Sequence, residues 1–346
     1  MDELVWFYPQ GHQAHVEPGH PERPERVEAM RAALERGGWW DRYPKLEPLS
    51  LPAEVLSRVH SPAYLNVLEM TCRRAGHLDP DTYVTPASWG LALKAAGGAL
   101  AVASAVWEGN ARRGFALTRP PGHHACRGQG MGFCLLNNVA LAAEHLIQAK
   151  AAQRLAIVDL DLHHGNGTQD IFWQRKDVFY LSTHQSPLYP GTGRVNETGA
   201  GDGAGFTANF PLPPGSGDQA MQAVMDQLIL PLLERYQPEM LLVSYGFDAH
   251  WSDPLGHLLC SAQGTYRAMQ KLTTWADAQC HGRVAVMLEG GYQLEAAQAC
   301  AAAVTTALLG EPFDDPLGFS PYAETFHWRS MVDQARQIWG LTEATG

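Results

Sequence analysis

The sequence predicts a doubly wound α/β fold, a mainly parallel sheet with helices on both faces. Three observations lead to it. Short apolar runs alternate with longer segments of helical period over most of the 346 residues. The runs are apolar throughout rather than at every second position, as strands covered on both faces are. Five of them lead directly into polar segments, and parallel α/β sheets carry their functional groups at the carboxyl ends of the strands.

In chain order, a helical segment over 88–107 precedes the run 115–118, which leads into RPPGHH and so to His123 and His124. A helix over 138–151 follows. The run 155–162 enters HHGNGT and the run 178–182 enters THQSPLYPGTG. Over 218–236, Met221, Val224, Met225, Leu228, Ile229, Leu232 and Leu233 fall on one helical face, and Pro231 predicts a kink or an early break. The run 240–244 enters YGFDAH, a helix spans 262–279, the run 284–288 enters EGGY, and a last helix covers 293–309. With no internal repeat, low-complexity tract or long linker, one domain over 1–346 is expected.

Hydrophobic residues make up 45% of the chain, enough for a sizeable core. Mean hydropathy is −0.21, and no apolar run is expected to reach the roughly 18–20 residues of a membrane span. The opening MDELVWFYPQGH is acidic where a secretory leader is basic, so the expectation is a cytoplasmic protein without membrane contact. Six cysteines without a CxxC pair exclude a cysteine zinc knuckle and point to reduced thiols. A net charge of −11 with no basic stripe argues against direct nucleic-acid binding. Such a surface suits cationic substrates such as lysine-rich peptides or polyamines, although the same charge also serves solubility.

The segment LAIVDLDLHHGNG carries the most chemistry. On an extended strand Asp159, Asp161 and His163 share one face, while Leu160 and Leu162 point into the core. Two carboxylates and an imidazole at the end of an apolar strand are costly unless a positive charge neutralises them. A divalent cation does so, and these oxygen and nitrogen donors suit zinc. The plainer alternative is a solvated strand end, which the other four polar ends argue against. Asp248 in YGFDAH is the third candidate ligand, its plainer role being a helix N-cap. Three protein ligands leave an open coordination position, as in catalytic zinc sites. His123 and His124 follow Pro120, Pro121 and Gly122, and adjacent histidines can divide base and acid roles, with Asp159 and Asn166 able to hold one ring each. Tyr292 follows two glycines. Its hydroxyl could donate to a developing oxyanion, although Gly-Gly-Tyr is also an ordinary turn.

The motifs RPPGHHA, GFCLLNN, DLDLHHGNGT, GFDAH and EGGY, in this order and spacing, resemble the histone deacetylase and acetylpolyamine amidohydrolase family. The likeness extends from HPERPERV to the helix after Tyr292, and Asn166 with GNGTQ places it nearer the class II and bacterial branch. It implies the arginase–deacetylase fold, with one zinc ion held by Asp161, His163 and Asp248. His123 and His124 become the tandem histidines bonded to Asp159 and Asn166, and Tyr292 the carbonyl-polarising hydroxyl. Gly132, Phe133 and Tyr189 match the acyl channel, Tyr189 standing where the family often has Phe. Leu255 matches an apolar rim position, and Arg26 an arginine near the product-release path. A structural potassium near Asp159, Asp161, the His163 carbonyl and Ser182 is implied as well.

The implied reaction is hydrolysis of an N-acyl amine. Zinc polarises the carbonyl, His124 takes the proton of the attacking water, and His123 or His124 protonates the leaving amine. Leu255 favours acetyl-lysine of proteins or peptides over acetylpolyamines, whose enzymes can carry an acid there. Asp79 and Asp81, in the rim loop 77–86, either contact a cationic substrate or build a turn. His12, His15 and His20 are expected as rim or solvent residues rather than ligands. A binuclear manganese ureohydrolase is disfavoured because Gly165 and His250 stand where the second metal needs carboxylates. A non-catalytic acyl-lysine binder is disfavoured because every matched catalytic position is filled. Acyl-chain preference, zinc against iron, protein partners and oligomeric state, a homo-oligomer included, stay open at this level.

Overall fold

The computed structural model describes residues 1–341. The chain opens with strand β1 (Asp2–Phe7) and helices α1 (Glu25–Arg36), α2 (Ala53–Val59) and α3 (Pro62–Arg74). An antiparallel hairpin, β2 (Gly76–His77) and β3 (Tyr83–Val84), leads into the long helix α4 (Ser88–Trp107). Next come β4 (Ala111–Ala116), α5 (Asn138–Lys150), β5 (Leu155–Asp159), α6 (Asn166–Phe172), β6 (Val178–Gln185) and β7 (Thr207–Leu212). The rest comprises α7 (Asp218–Val224), α8 (Leu230–Tyr236), β8 (Met240–Tyr245), α9 (Ala262–Gln279), β9 (Val284–Leu288), α10 (Leu294–Leu309) and α11 (Trp328–Ile338).

Seven strands form one sheet in the order β1-β4-β9-β8-β5-β6-β7, and every neighbouring pair is parallel. Side chains alternate across it. On β5 and β8, Ala156, Val158, Leu241 and Val243 join one apolar core, while Leu155, Ile157, Met240 and Leu242 join the other. Helices α1, α9, α10 and α11 contribute to the first core and α4 and α5 to the second, so both faces are covered. Continuous Val, Ile and Leu runs are therefore what the strands must carry.

The topology positions the site. From β5 the chain steps outward through β6 and β7, then returns to β8 on the opposite side of β5 and continues to β9. The connections leaving β5 and β8 diverge, which opens a crevice at their carboxyl ends.

Several expectations are corrected. Strand β5 ends at Asp159, so Asp161 and His163 lie in the loop beyond it rather than on its face. Leu160 and Leu162 are nevertheless buried in the core, as their apolar character demands. Strand β4 begins earlier than its apolar run, because Arg113 is buried with its charge paired to Asp277 at 2.7 Å. Edge strands β1 and β7 escaped the apolar-run reading. β7 carries Pro211, which an edge tolerates. In the segment 218–236 the break precedes Pro231. A π-helical turn over Met225–Ile229 absorbs the missing N–H and the crowding of the proline ring.

The expectation that no run reaches membrane-span length is also corrected. α4 is long and apolar enough by composition, but 78% of its apolar window is buried, and it packs against α5 and β4. His12 and His15 are not rim or solvent residues: both are fully buried. His12 meets the Tyr8 hydroxyl at 2.9 Å, and His15 meets the Ser88 hydroxyl at 2.6 Å and stacks on Tyr83. Beside them Glu22 accepts from Arg26 and Arg119. Burial opposes its charge, yet the two guanidinium groups hold its carboxyl down at about 2.

His60 shows why such rings stay neutral. Its Nδ1–H donates to the Cys126 carbonyl at 2.9 Å while its Nε2 accepts from the Asn137 N–H at 2.9 Å, and a second ring proton would destroy the latter bond. Burial lowers both His15 and His60 to about 4. Between an unfolded value near 6.5 and about 4, the unfolded chain binds more protons than the folded one, so stability falls as pH falls through that window. Each fully developed shift of this size is worth roughly 3 kcal/mol. The melting temperature should drop steadily from pH 6.5 to pH 4, and His60→Gln, which retains an acceptor, should flatten that slope in calorimetry.

Candidate active site

The carboxyl ends of β5 and β8 build the centre. Asp159, the last residue of β5, pairs in register with Ser182 on β6 and Ser244 on β8. Beyond it the Leu160 N–H still bonds the Ser244 carbonyl at 2.9 Å, and the two buried leucines fix the loop that carries Asp161 and His163. Asp161, His163 and Asp248 bring one ligand atom each within 4.8 Å of one another. His163 Nδ1 lies 3.2 Å from Asp161 Oδ1 and 3.1 Å from Asp248 Oδ2.

The protein holds these carboxylates with backbone donors. Asp161 accepts from the His163 and Gly290 N–H groups, each at 2.8 Å, and Asp248 accepts from the Leu162 N–H at 3.1 Å. The backbone approaches so closely that a Cβ on Gly246 would collide with Asp161 Oδ2, and one on Gly290 with Asp248 Oδ2. Burial opposes a charged His163, yet Asp161 and Asp248 push it up to about 10. Burial and Asp161 together push Asp248 above the usual carboxylate range. The set thus calls for a shared positive charge, and two carboxylates with one imidazole fit a divalent ion of the zinc type.

The tandem histidines stand beside it, with ring centroids 4.1 Å apart. His123 Nδ1 donates to Asp159 Oδ2 at 3.1 Å, an oxygen that also accepts from the Tyr180 hydroxyl at 2.9 Å. His124 Nδ1 donates to Asn166 Oδ1 at 2.7 Å. The Asn166 amide nitrogen faces Cys126 Sγ at 3.3 Å and Met131 Sδ at 3.4 Å, which fixes the amide's orientation. Burial opposes charge on both rings. Asp159 and Asp161 nevertheless raise His123 to about 10, whereas His123 and His163 add to the lowering of His124. His124 is therefore the ring with a free lone pair at Nε2.

Glu289, which the motif reading passed over, anchors this turn. Its Oε2 accepts from the Gly122 N–H at 2.7 Å and the His123 N–H at 3.1 Å, and its Oε1 accepts from the Ser244 hydroxyl at 2.9 Å. His123, Cys134 and Glu289 also bring ligand atoms within 4.8 Å. Burial holds the Cys134 thiol well above its usual range.

The remaining candidates form walls. Gly132 and Phe133 both adopt left-handed backbone, with φ +55° and +67°. A Cβ on Gly132 would strike the His124 ring, and Thr82 Oγ1 accepts the Phe133 N–H at 3.1 Å. Phe133 meets Tyr292 edge-on at 5.8 Å, and Tyr189 meets His124 edge-on at 5.2 Å. Burial keeps the Tyr292 hydroxyl protonated well above its usual range, although the Arg26 guanidinium lies 4.6 Å over its ring. Arg26 donates to the Glu289 and Gly291 carbonyls, each at 2.6 Å.

Leu255 is placed differently. It is half-buried against the hydrophobic core, tied to the site through its N–H, which donates to Asp253 Oδ1 at 3.0 Å. The Ser182 hydroxyl meets His184 Nδ1 at 2.9 Å beside Asp159. Asp79 and Asp81 make a turn in which Asp79 Oδ1 accepts the Asp81 N–H at 3.2 Å. His250 Nδ1 is engaged by Ser252 at 2.9 Å. Sequence reasoning missed Glu289, Ser244 and Tyr180 although the first two close apolar strands, where a buried polar residue is itself a signal.

Comparison with known proteins covers the segment that holds these residues. The histone deacetylase domain profile matches residues 20–308. A protein of Archaeoglobus fulgidus named "Probable deacetylase" is 42% identical over 282 residues, covering 81% of this chain and 78% of that one. The histone deacetylase-like amidohydrolase of Pseudomonas aeruginosa is 36% identical, covering 84% of this chain and 77% of its own. The crystal structure of the HDA15 HD domain superposes with a TM-score of 0.89 at 34% identity, covering 98% of this chain and 94% of that one.

Because no space exists at Gly246, Gly246→Ala should force Asp161 or the β8 loop to shift, at a cost of about 1–3 kcal/mol by overpacking. Urea denaturation checks this, and an unchanged midpoint would contradict the close approach.

Proposed function

The chain belongs to the histone deacetylase family of amide-hydrolysing enzymes, and we propose that it is a zinc-dependent member removing acetyl or related acyl groups from lysine side chains of proteins or peptides. One observation carries the reading: Asp161, His163 and Asp248 converge where the tandem histidines stand, with His123 Nε2 3.7 Å from Asp161 Oδ1 and the His124 and His163 rings 5.9 Å apart. When bound there, the ion supplies Lewis acidity to the scissile carbonyl and to the attacking water.

The chain's own residues do the rest. His124, neutral and oriented by Asn166, takes a proton at Nε2. His123, held by Asp159, keeps positive charge beside the reacting centre and serves with His124 in protonating the departing amine. Tyr292, which burial keeps protonated, donates to the oxygen that gains charge. Gly132, Phe133 and Tyr189 exclude water along the acyl chain. The part of Leu255 that the core leaves uncovered would give the rim an apolar character that favours acyl-lysine. Partly exposed Asp79 and exposed Asp81 support acetylpolyamine as the second substrate class. Potassium near Asp159 and Ser182, one catalytic domain over 1–346 and a cytoplasmic setting, in keeping with six free cysteines, belong to the same proposal.

The test is a parallel assay of acetyl-lysine peptide, acetylspermidine and acetylputrescine, with metal content measured on the purified chain. About one zinc or iron per chain and chelator-sensitive release of acetate are expected, fastest from the peptide. Tyr292→Phe should lower kcat about 10²–10³-fold with KM little changed, the usual effect of removing one oxyanion donor. Two metal ions per chain, or peptide binding without product from the metal-loaded protein, would overturn the reading.

A further inference from the structure

Between the third metal-ligand candidate and α9 runs a loop whose buried carboxylate has no part in the reaction as described. Asp253 is 6% exposed. Its Oδ2 accepts from the Tyr292 N–H at 2.7 Å and the Gln293 N–H at 3.0 Å, while its Oδ1 accepts from the Leu255 N–H at 3.0 Å. No cation pairs with it among the described residues. The charge is met by three backbone donors and by the N-terminus of α10, whose partial positive charge favours an anion.

Capping that helix does not account for Asp253. Gln293 already caps α10, its own side chain accepting the Ala296 N–H at 2.6 Å. The bond to the Tyr292 N–H lies outside the helix and is the shortest of the three. The carboxylate therefore fixes the main chain from which the Tyr292 ring projects, under Arg26 and against Phe133. Its other oxygen fixes the turn that presents Leu255.

We propose that Asp253 is a positioning residue that joins the rim to the oxyanion donor, one oxygen setting the Tyr292 loop and the other setting Leu255. The inference deepens the deacetylase reading and rests on it for the role of Tyr292. Substrate selection at the rim and placement of the Tyr292 hydroxyl are thereby set by one side chain. An asparagine cannot serve both: it keeps one acceptor and turns an NH2 group toward the N–H donors on the other side.

The test is a double-mutant cycle between Asp253→Asn and Tyr292→Phe, joined to 19F NMR of the full chain carrying 3-fluorotyrosine at position 292. Asp253→Asn should lower kcat about 10–100-fold in the parent but less than about 3-fold in the Tyr292→Phe background, since residues acting through one another are not additive. The ratio of kcat/KM for acetyl-lysine peptide to that for acetylspermidine should move, and the fluorine signal should shift or split. An equal loss in both backgrounds with an unmoved signal would overturn the proposal. If Asp253→Asn unfolds the chain, Asp253→Glu, which keeps the charge but not the reach, is read in the same way. A wild-type chain that hydrolyses none of these amides would overturn the deacetylase reading alone, because the fluorine signal still reports whether Asp253 governs the Tyr292 loop.

Discussion

Four carboxylates, Asp159, Asp161, Asp248 and Glu289, lie almost wholly buried around one crevice, and the cost of keeping that much negative charge from water governs the local architecture. Opposite charge answers part of it, through the His123 ring beside Asp159 and through the cation that Asp161, His163 and Asp248 together would hold. The peptide backbone answers much of the rest: Gly122, His123, Leu162, His163 and Gly290 all turn their N–H groups onto these oxygens. At Gly246 and Gly290 the backbone passes so close to the Asp161 and Asp248 oxygens that a side chain would collide with them, which is why GFD and EGG read as they do. The glycines are part of the electrostatics.

The sheet makes this concentration possible. At the reversal between β5 and β8 the connecting chains leave in opposite directions, so acidic groups from two strands can share a crevice without a covering loop between them. Asp248 and Asp161 come from these two strand ends, while the tandem histidines and the Gly-Gly-Tyr loop arrive from β4 and β9 on one flank. The Arg26 guanidinium closes the arrangement from behind by taking two carbonyls of that loop, so that loop is held from both sides.

Much of this was open to reading in the sequence. Parallel strands buried on both faces advertise themselves as unbroken apolar runs, and five such runs ended in the groups that meet in the crevice. Helices α4 and α9 matched the periodic segments to the residue. Other features were hidden for physical reasons. Edge strand β7 alternates apolar Ala208, Phe210 and Leu212 with polar Thr207 and Asn209, so it lacked the signal, whereas β1 does carry the apolar run LVWF, buried on both faces, and its brevity beside the chain start hid it. Strand β4 opens on ARRG because its buried arginine is neutralised by Asp277, a partner far away in sequence. His12 and His15 looked like loop histidines, yet they are core residues, since burial of an imidazole depends on partners such as Ser88 and Tyr83 that no local pattern announces. Glu289 and Asp253 act through backbone N–H groups, which leave no trace in side-chain spacing.

The shared family segment begins at residue 20, but the sheet begins at residue 2. Strand β1 covers the outer side of β4, and the chain just after it carries Tyr8, His12 and His15 into the interior. A protein trimmed to the recognisable motifs would bare a row of unsatisfied amides and carbonyls along β4, a template for pairing with another copy. It would also strip the packing from around Arg119 and Glu22. Boundaries drawn from the matched profile alone are thus poor guides to where this chain can be cut, because the stretch ahead of it is what keeps β4 from being sticky.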